Sequence, residues 1–531
     1  MLEKCLMFFV AFFALMSFFG LGLGYSGLIY PVVSAFSILV AFVVSFLLVR
    51  NIKVKKLGHW MVLVFVLALF LVVSLVPMYP GFVYPHACSD MMNHVLSGRT
   101  IAMDHGFNIT ETYFPFVYKH GYPMQYSGLT AMFYSIVPDS YLINSLLPLF
   151  FEFLSLIALF FLARNLFGEK VGILSVFIYG FSVVQLWALE QGYFPQVMGR
   201  FFLISLLYLI SSKKMNVYLI FLSTIALFSY PHCAIVYFLF LLFYFAYSKN
   251  YLLFKIYFAG FLVIFFETVG LFAYYLFTGG GTVGLIRGGI LVPNVLSLLI
   301  FLFALPAFFE FLRGKPYRIL RCFILAVLVM MLFLSFEFIV AVFLQGKSLS
   351  LVSLYTVVKY FYLLLFPLSV LAACGIRKYC SRYPVFALFS LVLYVSYFAG
   401  YAFILPQKAN FPYGFYDGVE ELHTLNASEE FLVGVDESLL NNEWVQSFPY
   451  NSLVDLPDDY GACPRLEASK AFAFVWADRG YWDGEWHALD SKGREVFNVG
   501  REHVDYFISE NVLDKPVFYK SGSVFVYDMR T

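Results

Sequence analysis

The sequence predicts an α-helical polytopic membrane protein with a small C-terminal α/β soluble domain, on three observations. Hydrophobic residues make up 61% of the 531 residues and charged residues only 13%, whereas a soluble domain carries about 25% charged residues. Apolar runs of about 20 residues, enough to cross a bilayer, recur as far as residue 405. After residue 406 charges become frequent and the apolar runs shorten. The net charge of +1 gives no indication of nucleic acid binding.

We predict about thirteen transmembrane helices from these runs. They cover residues 5–23, 30–49, 59–78, 141–163, 171–189, 200–212, 216–230, 233–248, 252–277, 291–312, 319–344, 350–375 and 384–405. Lys213 and Lys214 divide the stretch 200–230 into two short halves. The first run has no clear small-residue cleavage site, so we interpret it as a retained span and not as a signal peptide.

The basic residues of the short loops predict the orientation of the spans. Every second loop is basic, and these loops together hold seventeen Lys and Arg residues. The alternate short loops together hold three. In membrane proteins the excess of Lys and Arg lies in the cytoplasmic loops. We therefore expect a multi-pass protein of the cell membrane with a cytoplasmic N-terminus. The long loop 79–140 and the C-terminal domain are expected outside the cytoplasm.

This interpretation divides the chain into three parts. Residues 1–58 form an additional N-terminal helical hairpin, 59–405 the main transmembrane domain, and 406–531 an extracytoplasmic soluble domain. Three segments of the soluble part have the short alternating pattern typical of strands: His503–Ile508, Val517–Tyr519 and Ser523–Tyr527.

The first outward loop, 79–140, holds a candidate catalytic acid. Residues 90–104 have the periodicity of an amphipathic helix with Met91 and Ile101 on its apolar side. Asp90 lies four residues before His94, on another face. Asp90 is then a general base for an acceptor hydroxyl or, with His94, a ligand of a divalent cation such as Mg²⁺ or Mn²⁺. The structural alternative makes Asp90 a helix N-cap and His94 a satisfied polar side chain.

Ionisable residues inside the spans form a second candidate set. They are Glu152, Glu267, Glu337 and Lys359. A charge at this depth costs at least ~2.5 kcal/mol on insertion scales, so each residue needs a partner or a watery cavity. Glu337 and Lys359 lie at similar depth across a helical hairpin. They either form a structural ion pair, or Lys359 contacts the phosphate of a lipid-linked molecule.

Three further candidates flank the shorter outward loops. Glu190 and Arg200 lie on either side of one such loop. His232 follows Pro231 in the next one. A histidine at a helix mouth is either structural or takes part in binding and catalysis.

Several short motifs of residues 59–531 resemble one class of membrane enzyme. Ser89-Asp90-Met91-Met92-Asn93-His94 follows an apolar helix, Gly121-Tyr122-Pro123 precedes a semi-apolar one, and Lys359-Tyr360 precedes Leu365-Phe366-Pro367-Leu368. These motifs resemble the GT-C class of membrane glycosyltransferases, the mannosyltransferase-like members above all, which use dolichyl- or polyprenyl-phosphate-linked sugars. The resemblance implies a GT-C-like fold, Asp90 as the catalytic base and Glu190 as a second acid. It also implies a basic residue at position 359, where arginine is commoner than lysine.

A more distant resemblance is to the oligosaccharyltransferase catalytic subunits of that class. They carry a Trp-Trp-Asp-Tyr-Gly signature in the outward C-terminal domain. The sequence Trp476-Ala477-Asp478-Arg479-Gly480 keeps the first Trp, the Asp and the Gly and differs at the other two positions. This resemblance implies that Trp476 and Asp478 contact the acceptor. The structural alternative is an aromatic packed turn.

Together the resemblances imply transfer of a sugar from a lipid-phosphate donor in the membrane to a protein or glycan acceptor outside the cytoplasm. Asp90 and Glu190 are the expected catalytic residues. The expected substrate-binding residues are His94, Arg200, His232, Lys359, Trp476 and Asp478. Lys359, Arg200 or a divalent cation is expected to stabilise the phosphate. An ion-coupled transporter or flippase that uses the buried acids, and an inactive scaffold of the same fold, remain alternatives.

Overall fold

The computed structural model describes most of the helical part of the chain and seven strands. The described residues are 1–52, 57–76, 94, 97–98, 101–102, 104–107, 124–137, 142–190, 193–212, 217–248, 300, 303–344, 354–380, 384–385, 392, 394–396, 398–400, 431–435, 472–476, 485–489, 495–500, 506–509, 512–513, 515–521 and 524–528.

Helices dominate the described residues up to position 400. The α-helices are α1 (Leu2–Ser26), α2 (Pro31–Val49), α3 (Trp60–Leu75), α4 (Gln125–Ile136), α5 (Leu142–Phe167), α6 (Glu169–Gly180), α7 (Val183–Glu190), α8 (Phe194–Ser211), α9 (Val217–Leu227), α10 (Pro231–Ser248), α11 (Phe308–Arg313), α12 (Arg318–Leu344) and α13 (Leu354–Cys380). Two 3₁₀ turns, Leu305–Ala307 and Lys315–Tyr317, flank α11.

The predicted class, a helical membrane protein, is confirmed, while the number of thirteen spans stays a prediction. Within the described residues, 4 helices are long and apolar enough to cross a membrane: Leu2–Ser26, Pro31–Val49, Leu146–Phe167 and Phe194–Ser211. The predicted span 171–189 is two helices, α6 and α7. The break falls at Ser182, whose carbonyl accepts the Gln185 N–H at 2.9 Å and so begins a new helix.

The basic loops meet at one end of the helices, which we call the basic end. Four contacts join them: Lys4 Nζ to the Arg50 carbonyl at 2.9 Å, the Gly58 N–H to Glu169 Oε2 at 3.1 Å, Arg377 Nη1 to the Phe167 carbonyl at 3.4 Å, and Lys378 Nζ to Glu310 Oε1 at 2.9 Å. Loops that the charge pattern assigned to one side of the membrane therefore lie together.

The N-terminal hairpin packs within the same apolar core as the later helices. Its first helix contacts α4 so closely that a Cβ on Gly20 would lie 2.7 Å from the Gly128 carbonyl carbon. At the basic end, the Tyr208 hydroxyl of α8 donates a hydrogen bond to Glu3 Oε1 at 2.6 Å. Helix α1 is thus held at both ends by elements far along the sequence.

Gly20→Ala tests the close approach of α1 and α4. The added methyl meets backbone atoms, which cannot rotate away, so we expect a loss of about 1–3 kcal/mol of unfolding free energy. Thermal unfolding in detergent measures the effect. Gly22→Ala is the matched control because nothing lies within 4 Å of a Cβ at that position. Equal melting temperatures for the two variants would contradict the packing.

The described part of the first outward loop includes a buried helical stripe. Residues 94, 97, 98, 101 and 102 are helical, and His94, Ser97, Ile101 and Ala102 are buried. This spacing places all of them on one helix face. His94 therefore shares the buried face with Ile101, and the predicted placement of His94 on a different face is wrong. Gly98 allows the contact, because its Cβ position lies against Thr130 of α4.

The C-terminal part forms two sheets in the described residues. The strands are β1 (Phe431–Val435), β2 (Phe472–Trp476), β3 (Glu485–Leu489), β4 (Glu495–Gly500), β5 (Tyr506–Ser509), β6 (Val517–Ser521) and β7 (Val524–Asp528). One sheet has the order β2-β1-β5-β7-β6, and β3 pairs with β4 in the other.

Strand β1 pairs in parallel with both β2 and β5, whereas β7 pairs antiparallel with β5 and β6. The three predicted strands are confirmed as β5, β6 and β7. Strands β1 and β2 were not predicted because Phe431–Val435 and Phe472–Trp476 are continuous apolar runs. Such runs are typical of parallel strands buried on both faces and lack the alternation that marks an exposed strand.

Candidate active site

Helices α8 and α10 begin side by side at the end of the bundle opposite the basic end. Each has a proline in its first turn, where the missing N–H costs no helical hydrogen bond. Gly199 permits the contact, because a Cβ there would lie 2.9 Å from Tyr230 Cβ and 3.2 Å from Cys233 Sγ. The segment that carries His232 is therefore packed directly onto the segment that carries Arg200.

His232 connects α10 to α13. Its Nδ1 lies 2.8 Å from the Tyr360 hydroxyl, and the two rings meet edge to face with centroids 5.0 Å apart. Tyr360 is buried and follows Lys359 directly in the chain. For Lys359 itself the structure describes only the backbone. The contact nevertheless brings His232 to the helical turn of α13 that contains the backbone of Lys359.

Tyr360→Phe tests this connection. The variant keeps the ring and removes the hydroxyl, so the hydrogen bond to His232 is lost at a cost of about 1 kcal/mol. We expect a correspondingly lower melting temperature in detergent. Tyr218→Phe is the control, since that side chain is 73% exposed. A Tyr360→Phe variant as stable as the control would show that the contact contributes nothing.

Arg200 and Glu152 form an ion pair inside the bundle. Arg200 Nη2 donates to Glu152 Oε2 at 3.1 Å, and both side chains are 0% exposed. Burial of two charges is tolerated only when they compensate each other. Glu152 thus has the partner that its depth in the membrane requires. Arg200 lies inside α8, and its charge is already paired.

Polar groups surround this ion pair. The Tyr179 hydroxyl lies beside the Glu152 carboxylate, and Gln185 lies beside Tyr179. Cys233 and Tyr362 lie near the guanidinium. Among the described residues, Arg200 Nε and Nη1 have no hydrogen-bond partner. The guanidinium therefore retains donors directed into the interior of the bundle.

His94 and Glu190 are each connected to the start of α8. His94 is connected through the rings of Tyr126 and Phe194, and Glu190 through the residues that follow α7. The His94 ring meets Tyr126 edge to face at 6.0 Å, and Tyr126 lies 6.3 Å from Phe194. Glu190 is the last residue of α7. Three residues later, Tyr193 donates its backbone N–H to the Ala188 carbonyl at 3.0 Å, and its ring lies 6.4 Å from that of Tyr362.

No protein-family model and no curated protein sequence matches the chain. Solved structures of an archaeal oligosaccharyltransferase are similar to it.

The apo form of the Archaeoglobus fulgidus oligosaccharyltransferase has 12% identity and a TM-score of 0.43, over 86% of this chain and 70% of that one. AglB from the same organism, in complex with an inhibitory peptide and a dolichol-phosphate, has 12% identity and a TM-score of 0.39 over 85% and 69%. The complex with Zn and sulfate has 13% identity and a TM-score of 0.41 over 84% and 67%.

These structures belong to the class of enzyme that the sequence motifs resemble. At such identities and TM-scores the similarity assigns no residue role and no activity to this chain.

The remaining predicted site residues are only partly described. Asp90 and Asp478 lie outside the described residues, and for Glu190 the structure describes the backbone alone. Trp476 is the last residue of β2 and pairs with Val435 of β1. The structure therefore connects the segments of Arg200, His232 and Lys359 through Gly199, Cys233 and Tyr360. The roles of all the predicted site residues stay predictions.

The predicted divalent cation finds no ligand set in the described part of the chain. No group of three His, Cys, Asp or Glu residues gathers there. The neighbour described for His94 is the ring of Tyr126, whereas Mg²⁺ requires oxygen ligands in near-octahedral geometry. Asp90, the other predicted ligand, lies outside the described residues, so the cation stays a prediction and we derive no step through it.

Sequence reasoning missed the tyrosines of this site. Tyr126, Tyr193, Tyr360 and Tyr362 are all buried at the meeting point of α8, α10 and α13. In a chain with 39 tyrosines no single one stands out. Only the adjacency of Tyr360 to the embedded Lys359 gave a usable signal.

Proposed function

We propose that this chain is a membrane glycosyltransferase that moves a sugar from a polyprenyl- or dolichyl-phosphate-linked donor to an acceptor on the extracytoplasmic side. One observation supports the proposal. Chain neighbours of three residues that were singled out separately in the sequence are in contact: Gly199, next to Arg200, packs on Cys233, next to His232, and His232 lies 2.8 Å from the hydroxyl of Tyr360, next to Lys359.

The proposed reaction is a single displacement at the sugar's anomeric carbon. Asp90 takes the proton of the acceptor hydroxyl, the acceptor oxygen bonds to the anomeric carbon, and the bond to the phosphate oxygen breaks. The lipid phosphate leaves with the electron pair, and the configuration inverts. The phosphate charge needs a cation that is not already paired. We assign that role to Lys359, since the charge of Arg200 is compensated by Glu152.

An apolar cavity of about 520 Å³ supports a lipid-linked donor. It lies between the C-terminal half of α3, Phe133 of α4 and the first turns of α5, away from the basic end. The described residues that line it are all apolar: Leu71, Leu75, Phe133, Ile143, Leu146, Leu147, Leu149 and Phe150. The polyprenyl chain of the donor would lie against these apolar side chains.

A transfer assay in proteoliposomes tests the proposal. Purified full-length chain is reconstituted with a polyprenyl-phosphate carrying a radiolabelled mannose, and label is followed into water-soluble product and into added peptide. Transfer that exceeds that of empty vesicles supports the proposal. Absence of transfer with mannose, glucose and N-acetylglucosamine donors alike, from a monodisperse protein, would reject it.

An oligosaccharyltransferase-like activity is the second candidate. Trp476 ends a strand that is parallel to its neighbour and so lies at the carboxyl edge of the sheet, and in the sequence it directly precedes Ala477-Asp478-Arg479-Gly480. Binding loops of α/β sheets lie at that edge. A peptide containing Asn-x-Thr distinguishes the two candidates. Label on this peptide, but not on one with Gln in place of Asn, would favour the second.

A further inference from the structure

A patch of four basic residues surrounds the start of α12 at the basic end. Arg313 and Lys315 are exposed, and Arg318 and Arg321 are half-buried. Within the described residues none of the four belongs to an ion pair, because the neighbouring Glu310 is paired with Lys378 at 2.9 Å. The patch therefore carries an uncompensated positive charge. We call it the Arg318 patch.

Two tyrosines from α10 orient the central arginine. The Arg318 guanidinium lies 4.4 Å from the ring centroid of Tyr247 and 5.0 Å from that of Tyr244. Its Nε and Nη2 atoms are buried and have no hydrogen-bond partner among the described residues. Stacking on aromatic rings fixes the plane of an arginine without using its N–H donors. The Arg318 guanidinium is thus held in place, while its Nε and Nη2 have no hydrogen-bond acceptor among the described residues.

An apolar stripe leads away from this patch along α12. Leu325, Leu328 and Leu332 are 48%, 42% and 70% exposed. They continue the face of Arg318 and Arg321 at helical spacing. From Arg321 to Leu332 the helix rises on the order of 16 Å, about half of a hydrocarbon core of roughly 30 Å. The stripe is about as long as one leaflet of the bilayer, and it begins at Leu325, one helical turn after Arg321.

We infer that the Arg318 patch binds the phosphodiester headgroup of an anionic membrane phospholipid, whose acyl chains lie along the Leu325, Leu328 and Leu332 stripe. Charge complementarity selects an anionic headgroup, and the stripe selects a lipid over a soluble phosphate. Arg318 would donate its free N–H groups to the phosphate oxygens. Basic pockets between helices at the cytoplasmic surface bind lipid headgroups by the same chemistry. The inference does not depend on the proposed transferase activity.

Native mass spectrometry of the full-length protein tests this inference. The protein is released from mixed micelles of phosphatidylglycerol and phosphatidylcholine, and the retained lipids are counted. We expect wild type to retain one phosphatidylglycerol in preference to phosphatidylcholine. The pair Arg318→Gln and Arg321→Gln should weaken this retention by about fivefold for each arginine. The charge-matched control pair, Arg50→Gln and Lys170→Gln, neutralises exposed residues of other basic loops and should retain the lipid.

A second variant covers the case in which the double arginine variant is not monodisperse. Tyr247→Leu leaves the charge unchanged and removes one stacking ring, so retention should fall by about twofold to fivefold. Equal retention of the two lipids by wild type would overturn the inference. So would equal losses in the arginine pair and the control pair, or unaltered retention in Tyr247→Leu.

Discussion

Glu152→Gln is expected to lower the unfolding free energy by about 3–5 kcal/mol, the largest stability effect of any single change that we predict. The amide has nearly the shape of the carboxylate but no charge, so the Arg200 guanidinium remains buried and uncompensated. Both side chains are fully buried, which leaves no route by which either can turn toward water. The expected loss of unfolding free energy is therefore that of a buried charge without a partner, and not that of one lost hydrogen bond.

The measurement is thermal unfolding of the purified protein in detergent, combined with a compensating variant. Glu152→Gln with Arg200→Met removes both charges and should recover most of the loss, because replacement of a whole buried pair is often close to neutral. Glu310→Gln is the matched control. It breaks a pair whose side chains are 55–59% exposed, and such pairs contribute about 0–1 kcal/mol. Equal effects of Glu152→Gln and Glu310→Gln would contradict the buried ion pair.

Asp90→Asn is expected to reduce sugar transfer by about 10²–10⁴-fold, the range that a positioned general base contributes. The asparagine occupies the same volume but cannot take the proton of the acceptor hydroxyl. Binding of the lipid-linked donor should be unchanged, so the loss should fall on kcat and not on KM. The proteoliposome assay with labelled donor measures both constants.

Asp104→Asn provides the matched control for this change. It makes the same substitution in the same outward loop, at an exposed residue for which we propose no part in the reaction. Undiminished transfer by Asp90→Asn would reject the assignment of Asp90 as the base. A loss of equal size in Asp104→Asn would indicate instead that acidic charge in the loop matters as a whole.

The parts of the fold that the sequence predicted well are those governed by local or one-dimensional signals. The gathering of basic loops at one end follows from charge alternation along the chain, and β5 to β7 follow from local alternation. The break at Ser182 was missed because the run 171–189 contains no charged residue and no proline, and hydropathy does not register a change of helix axis. The shared face of His94 and Ile101 follows from their seven-residue spacing and was overlooked. That this face is the buried one depends on packing against α4, which the sequence of the segment does not include.

In the candidate site, too, the sequence predicts features that depend on single residues and misses those that depend on packing between helices. Glu152 and Arg200 each stood out as charges in or next to a span, but 48 residues separate them. Their pairing depends on how α5 and α8 pack, and this is not encoded in either segment by itself. For the same reason, Arg200 was expected to face substrate, and the structure shows its charge already paired within the bundle.

The close contact of α1 with later helices bears on the order in which the protein is assembled. Helix α1 leaves the ribosome before α4 and α8, because the Gly128 backbone that it contacts and the Tyr208 hydroxyl that bonds to Glu3 are synthesised more than one hundred residues later. Until then neither of these two contacts of α1 can form. Final closure of the bundle must therefore follow membrane insertion of α8, so that biogenesis of this protein has a late step that draws α1 into place.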